Sequence, residues 1–212
     1  PLPVFFFAVA AALAVFSYLY SAKSANMMHA LPVNRLELYV TNYLSGLIFL
    51  IVPEIITFFI TVLVCLANQF TCIQYLFAAL LAQAGVTFFA YSLAVFMAMF
   101  TGQAFAMPCY YVIVNYLYVG CMFIVAKVIE TISYGIENAW NPGKSCILSP
   151  LYYLNNNLRS SLIYTENGNG ITGIKITGMP LIGIYAAAAV VLVVVACQMY
   201  RRRQIETAGD WV

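Results

Sequence analysis

The chain has 212 residues, of which 64% are apolar and only 8% charged, with a formal charge of +2 and a mean hydropathy of +0.92. Ordinary soluble domains carry roughly 25% charged residues, so this composition excludes a water-soluble globule and points to an integral membrane protein. The basic residues are spread over loops and form no stripe beside stacking aromatics, so no nucleic-acid partner is expected.

An apolar helix needs about 20 residues, at roughly 1.5 Å each, to cross the hydrocarbon core. Five stretches reach that length, over about 3–22, 37–66, 73–100, 105–133 and 179–200. Lipid offers the backbone no hydrogen bonds, and the period-two alternation of a membrane barrel is absent from these runs. The expected fold is therefore all-α, a polytopic transmembrane helical bundle forming a single domain, multi-pass in the plasma membrane. The first run is too long for a signal peptide and lacks a basic start and a small-residue cleavage site, so it counts as a span. A start at Pro1 instead of Met, and a stop at Val212 just after a charged tail, read as a piece of a longer protein.

Between the first two runs lies Ser21 to Glu37, the only polar, charged stretch in the first sixty residues. Lys23, His29 and Arg35 put this 23–36 loop on the cytoplasmic side, because basic residues in short loops resist translocation. By parity the turn at 68–71 is outside, 101–103 inside, the 134–178 loop extracellular and the 201–212 tail inside. That tail opens with Arg201, Arg202 and Arg203, so two basic clusters agree on one topology. Lys144, Arg159 and Lys175 in the outer loop weigh little, since long loops cross largely regardless of charge. Ser24 to Leu31 has the composition of a short helix on the membrane surface, and Leu31-Pro32 disfavours its continuation. Asn34 and Glu37, three apart, resemble a capping box opening the next long helix. Such a handle on a transmembrane rod suits an element that passes mechanical work from a soluble partner to the spans.

In the 37–66 run, Pro53 removes one backbone bond and is expected to kink the helix. The neighbouring Glu54 costs a few kcal/mol at that depth, so it should face a protein interior or a watery cavity. Two readings stand: a gate or pathway residue, or a structural acid bonded to a neighbouring helix. Lys127 and Glu130 are spaced to pair on one helix face. Gln74, Gln83, Ser92 and Asn115 offer hydrogen bonds between helices, while Ala78, Ala82 and Gly85, or Gly183 and Ala187, permit close backbone approach.

The six cysteines form no CxxC pair and the one histidine is His29, so no metal cluster is expected. Cys72 and Cys146 both fall in outer segments, where a disulfide is chemically allowed; the alternative is unpaired thiols serving as small buried apolar groups. Gly168 to Gly173 spells GxGxxG but lacks the Lys-Ser/Thr ending and the strand-then-helix setting of a phosphate loop. With no Walker A loop, paired carboxylates or Ser/His/Asp set, neither a catalytic residue nor a cofactor is expected. Any nucleotide would be handled by another chain.

Met28-His29-Ala30-Leu31-Pro32-Val33-Asn34-Arg35-Leu36-Glu37-Leu38, running into Tyr43-Leu44-Ser45-Gly46-Leu47, resembles the loop between the second and third spans of ABC-2 type permeases, most closely those of Gram-positive bacteria. The tail from Tyr200 to Asp210 is similar to the segment closing the six-helix unit in that group. The resemblance implies that the five runs are helices two to six of such a unit, within the membrane subunit of an exporter. It implies two partners besides membrane lipids: a cytosolic ABC ATPase and a second permease chain, identical or related. It also makes Lys23 to Arg35 the coupling helix that docks on the ATPase. Lys23, Met27, Met28, His29, Leu31, Pro32, Arg35 and Glu37 are then the coupling residues, and Pro53 is a hinge. The outer loop is longer and more polar here than a re-entrant hairpin. The alternative function is a stand-alone carrier or channel using Glu54 and Asn115 in the membrane interior.

Overall fold

The computed structural model describes residues 2–29, 33–68, 73–133, 148–164 and 171–202. In chain order they form α1 (Leu2–Phe16) with a 3-10 turn (Ser17–Tyr20), α2 (Ala22–His29), α3 (Arg35–Ala67), α4 (Ile73–Phe100), α5 (Ala106–Ile132), α6 (Pro150–Asn157), β1 (Arg159–Tyr164), β2 (Ile171–Thr177) and α7 (Met179–Arg202). Five of these helices, α1 with its 3-10 extension, α3, α4, α5 and α7, are long and apolar enough to cross a membrane. Their ends fall within about two residues of the expected runs, since hydropathy and length are local properties.

α4 is the central rod, packed against α7, α1, α3 and α5. Its last three turns are buried almost all round, with Ala90, Tyr91, Ala94, Val95 and Ala98 nearly inaccessible. A helix buried on every side needs no polar face, which explains its lack of amphipathic pattern. α1 buries Phe5, Ala8, Ala12 and Phe16 in the bundle, and α7 buries Ile182, Tyr185, Ala189 and Ala196, both at helical spacing, with Tyr185 of α7 against Phe89 of α4. Small residues on these faces bring the backbones close, the main attraction open to helices in lipid. Gly85 is part of this contact, because a Cβ there would run into the Ile182 side chain. Gly183 is different: it faces open space and Ala187 is exposed, so that expected packing pair has no role between α7 and α4.

α3 is 33 residues long, and only Tyr39, Tyr43 and Gly46 in its first half are buried. Gly46 lies under the Tyr91 ring of α4, and a Cβ there would collide with the Tyr91 hydroxyl. Beyond that point Phe49, Ile56, Phe59 and Leu63 are exposed, an apolar face for lipid. The C-terminal half of α5 is equally open, with Ile124, Val128 and Ile132 exposed. Its Lys127 and Glu130 form the expected ion pair at 2.6 Å, and the ammonium lies 5.9 Å from the Phe123 ring centre.

The expected 134–178 loop departs from a simple outer loop in two ways. First, α6 packs against α5 and α1, with Leu151 and Leu154 in the same core cluster as Phe5. Pro150 sets its first turn, and the buried Ser149 Oγ accepts a hydrogen bond of 3.1 Å from the Val119 amide of α5. Second, β1 and β2 pair antiparallel from Arg159↔Thr177 to Tyr164↔Ile171, which adds a strand element to the all-α expectation. β2 places apolar Ile174 and Ile176 between polar residues and is rich in β-branched side chains, the pattern of a strand, whereas β1 has no such alternation. Gly173 belongs to β2 opposite Ile163, while Gly168 and Gly170 lie outside the described residues. Gly178 joins the ribbon to α7 at φ +99°, where a Cβ would sit 2.9 Å from the Asn157 carbonyl oxygen.

The α3–α4 contact gives a direct test. Gly46→Ala should lower stability by about 1–3 kcal/mol through overpacking, and adding Tyr91→Phe, which removes the hydroxyl in the way, should recover much of that loss. Thermal unfolding in lipid nanodiscs checks both; an unshifted midpoint for Gly46→Ala would mean that the two helices do not touch there.

Candidate functional site

The start of α3 and the last turn of α7 meet at one end of the bundle. α2 forms where the composition predicted a helix, two residues earlier than expected. Lys23 and Met27 are exposed, whereas Met28 packs against the core cluster. Leu31 and Pro32 lie outside the described residues, as does the His29 side chain. Asn34 is the N-cap of α3, and its carbonyl accepts from Leu38 N at 3.0 Å. The reciprocal capping box is not formed: the Asn34 amide donates instead to Glu37 Oε1 at 3.1 Å, so the two side chains pair with each other instead of with backbone amides. Arg35 reaches across to the last turn of α7 and donates to the Arg201 carbonyl at 3.5 Å. A cation is favourable there, at the negative end of the helix dipole.

Just inside this end lies a tyrosine seam that sequence reasoning missed. Tyr39 stacks on Tyr43, packs against Phe16 and Tyr200, and donates to the Val193 carbonyl at 3.3 Å. Tyr43 shares a 2.8 Å bond with Ser92 of α4, and Tyr18 bonds both Tyr200 and Asn42 at 3.1 Å. These bonds tie α1, α3, α4 and α7 together. The available signal was the spacing of Tyr39, Tyr43 and Gly46, at i, i+4 and i+7 on one helix face, followed by a small residue. The partners on α4 and α7 had no local signature.

The second site lies near the middle of α3 and α4, about 20 Å from the end of α3 and from the start of α4 at ~1.5 Å per residue. There the Thr87 hydroxyl of α4 donates to Glu54 Oε1. Glu54 Oε2 is buried and without a hydrogen-bond partner among the described residues. Gln83, one turn from Thr87 on α4, lies beside the same carboxyl. A cleft of about 400 Å³ between α1, α3 and α4 is lined by Glu54, Gln83 and Thr87, with Val4, Phe7 and Phe49 among its apolar walls. A second cleft of about 380 Å³ opens on the other side of Glu54, along Thr57, Thr61 and Leu80. Pro53 sits within the continuous helix α3 and supplies no amide to the Phe49 carbonyl, which loses its usual donor beside the first cleft.

Asn115 is elsewhere. It is fully buried on α5, its amide donates to the Tyr111 carbonyl of its own helix at 2.8 Å, and it lines neither Glu54 cleft. The structure therefore does not bring Glu54 and Asn115 into one site, and Asn115 makes no bond between helices through that amide. Ser92 does bridge helices, through Tyr43, and the Gln74 side chain lies outside the described residues. Among the described residues no His/Cys/Asp/Glu group is placed to hold a metal. Cys65, Cys109, Cys121 and Cys197 are free thiols, two half-buried and two exposed. Cys72 and Cys146 lie outside the described residues. No protein family, curated protein or solved structure matches the chain.

The Glu54–Thr87 contact is open to a double-mutant cycle. Thr87→Val should cost about 1–3 kcal/mol while it strands the carboxyl, and distinctly less in a Glu54→Leu background, with a coupling of about 0.5 kcal/mol or more. Thermal unfolding of the four proteins in nanodiscs measures it; strictly additive losses would show that the pair does not interact.

Proposed function

We propose that the chain is the membrane-spanning permease subunit of an ABC transporter, an exporter of the plasma membrane that works with a cytosolic ATPase and a second permease chain. One observation carries this reading: α2, a short helix exposing Lys23 and Met27, leads into a long helix whose first turns are fastened to the rest of the bundle. A lever needs both features, a free handle and a stiff shaft. The basic residues at 23, 29, 35 and 201–203 put this end in the cytoplasm by the positive-inside rule. The ABC-2-like sequence begins on the last residues of this handle, Met28 and His29, and continues into the first turns of α3.

The mechanism follows from that arrangement. ATP binding closes the partner ATPases and shifts α2, and α3 turns with it because Asn34 starts α3 two residues after Pro32. Tyr39 and Tyr43 pass the displacement to α4 and α7. Nucleotide thus biases two arrangements of the helices, as coupling requires. Beyond Gly46, α3 is held to α4 by the Glu54–Thr87 contact but presents mostly exposed side chains, so Pro53 stands in the loosely held half, where bending meets little resistance.

A second reading, a stand-alone carrier, draws on the unpartnered oxygen of Glu54. Separation of the two is direct. Purification from the native cell in mild detergent should bring down a chain with a Walker A loop, and replacing Met27 to Ala30 by Gly-Ser should abolish transport-linked ATP hydrolysis while the bundle stays folded. Unchanged association and ATPase stimulation after that replacement would remove α2 from the coupling role. A cysteine at position 29 should react with an impermeant thiol reagent only in opened cells; labelling of intact cells would reverse the topology.

A further inference from the structure

We infer that the cleft between α1, α3 and α4 is a binding site for a small lipophilic cation that enters sideways from the bilayer, with Glu54 as its counter-charge. This deepens the transport reading by naming a substrate class, and it rests on that reading only for what happens after binding.

The chemistry of the lining selects the class. Among the described residues, Glu54 is the one titratable side chain lining either of the two clefts that flank it. Its Oε1 takes a bond from Thr87, and its Oε2 has no donor, so the site offers more acceptor capacity than the protein itself fills. The Phe49 carbonyl beside it has lost its amide to Pro53, which adds acceptor character to the same wall. Among the described residues no Lys, Arg or His lines the cleft to neutralise the acid. A carboxyl at membrane depth with no cation of its own is an unfilled half of an ion pair.

Shape and exposure select the route. The remaining walls are apolar, and a volume of about 400 Å³ falls in the range of roughly 300–1,000 Å³ that holds drug-sized molecules. Phe7 and Phe49 are 60% and 71% exposed, so this side of the cleft faces outward from the bundle, toward lipid. Two aromatic faces at the mouth also attract a cation in transit. Gln83 and Thr87 stand on α4 one turn apart and supply hydrogen-bonding groups to hold a polar head against the acid. Hydrophobic neutral compounds gain nothing from Glu54, and anions are repelled by it.

Two probes of nearly equal shape and opposite charge separate charge recognition from simple apolar partition: tetraphenylphosphonium and tetraphenylborate. The purified chain in nanodiscs should bind tetraphenylphosphonium saturably above the level of protein-free nanodiscs and should not bind tetraphenylborate. Glu54→Gln should weaken the cation by at least about ten-fold, while Glu54→Asp, which keeps the charge, should retain most of the affinity and control for folding. Equal affinity of wild type and Glu54→Gln for the cation, or saturable binding of both probes, would overturn the inference. Since no ATPase is present in this assay, such a failure would leave the permease reading standing. Loss of ATPase association with intact cation binding would do the reverse.

Discussion

The fastening of the first half of α3 onto its neighbours is the constraint from which the rest of the structure follows. Tyr39 and Tyr43 each bury a large ring and still find an acceptor or a hydroxyl partner, on α7 and α4 respectively. In lipid an unbonded hydroxyl is expensive and apolar burial between helices gains little, so aromatic contact plus a satisfied hydrogen bond is an effective way to hold two spans together. Gly46 completes the contact by letting the Tyr91 ring of α4 come up against the α3 backbone. Four helices share this seam, and none of them can move there without disturbing the others.

The freedom of the other half of α3 is the complement of that fixation. Past Gly46 the helix presents Phe49, Ile56, Phe59 and Leu63 outward, and its remaining inward partner of note is the carboxyl of Glu54 against Thr87. A rod held at one end and loosely attached along the rest leaves gaps on both sides of its remaining contact, and the two clefts beside Glu54 are those gaps. The same geometry that stiffens the elbow for pushing leaves a polar pocket at depth. One helix thus carries both a fastened segment near its start and, past Gly46, the clefts beside Glu54.

The far end of the bundle is closed differently. α6 comes back from the 134–178 stretch to cover α1 and α5 with Leu151 and Leu154, and Ser149 accepts from a backbone amide of α5. The paired strands then return the chain to α7 through the left-handed turn at Gly178. Burial of two leucines and a serine explains how so polar a segment is anchored to a core of apolar rods.

The sequence alone determined the features that depend on near neighbours in the chain. Runs of apolar residues gave the five long helices, the Ser24 to Leu31 composition gave α2, Asn34 gave the start of α3, and the i, i+3 spacing gave the Lys127–Glu130 pair. What only the tertiary structure decided is which faces lie opposite one another. Glu54 finds Thr87 and not Asn115, Arg35 turns to the α7 terminus, Tyr43 meets Ser92, and Asn34 pairs with a side chain where backbone amides were expected. Near-uniform hydropathy around each helix conceals its inward face, because a buried rod and a lipid-facing rod are equally apolar; only the packing of one against another breaks that tie.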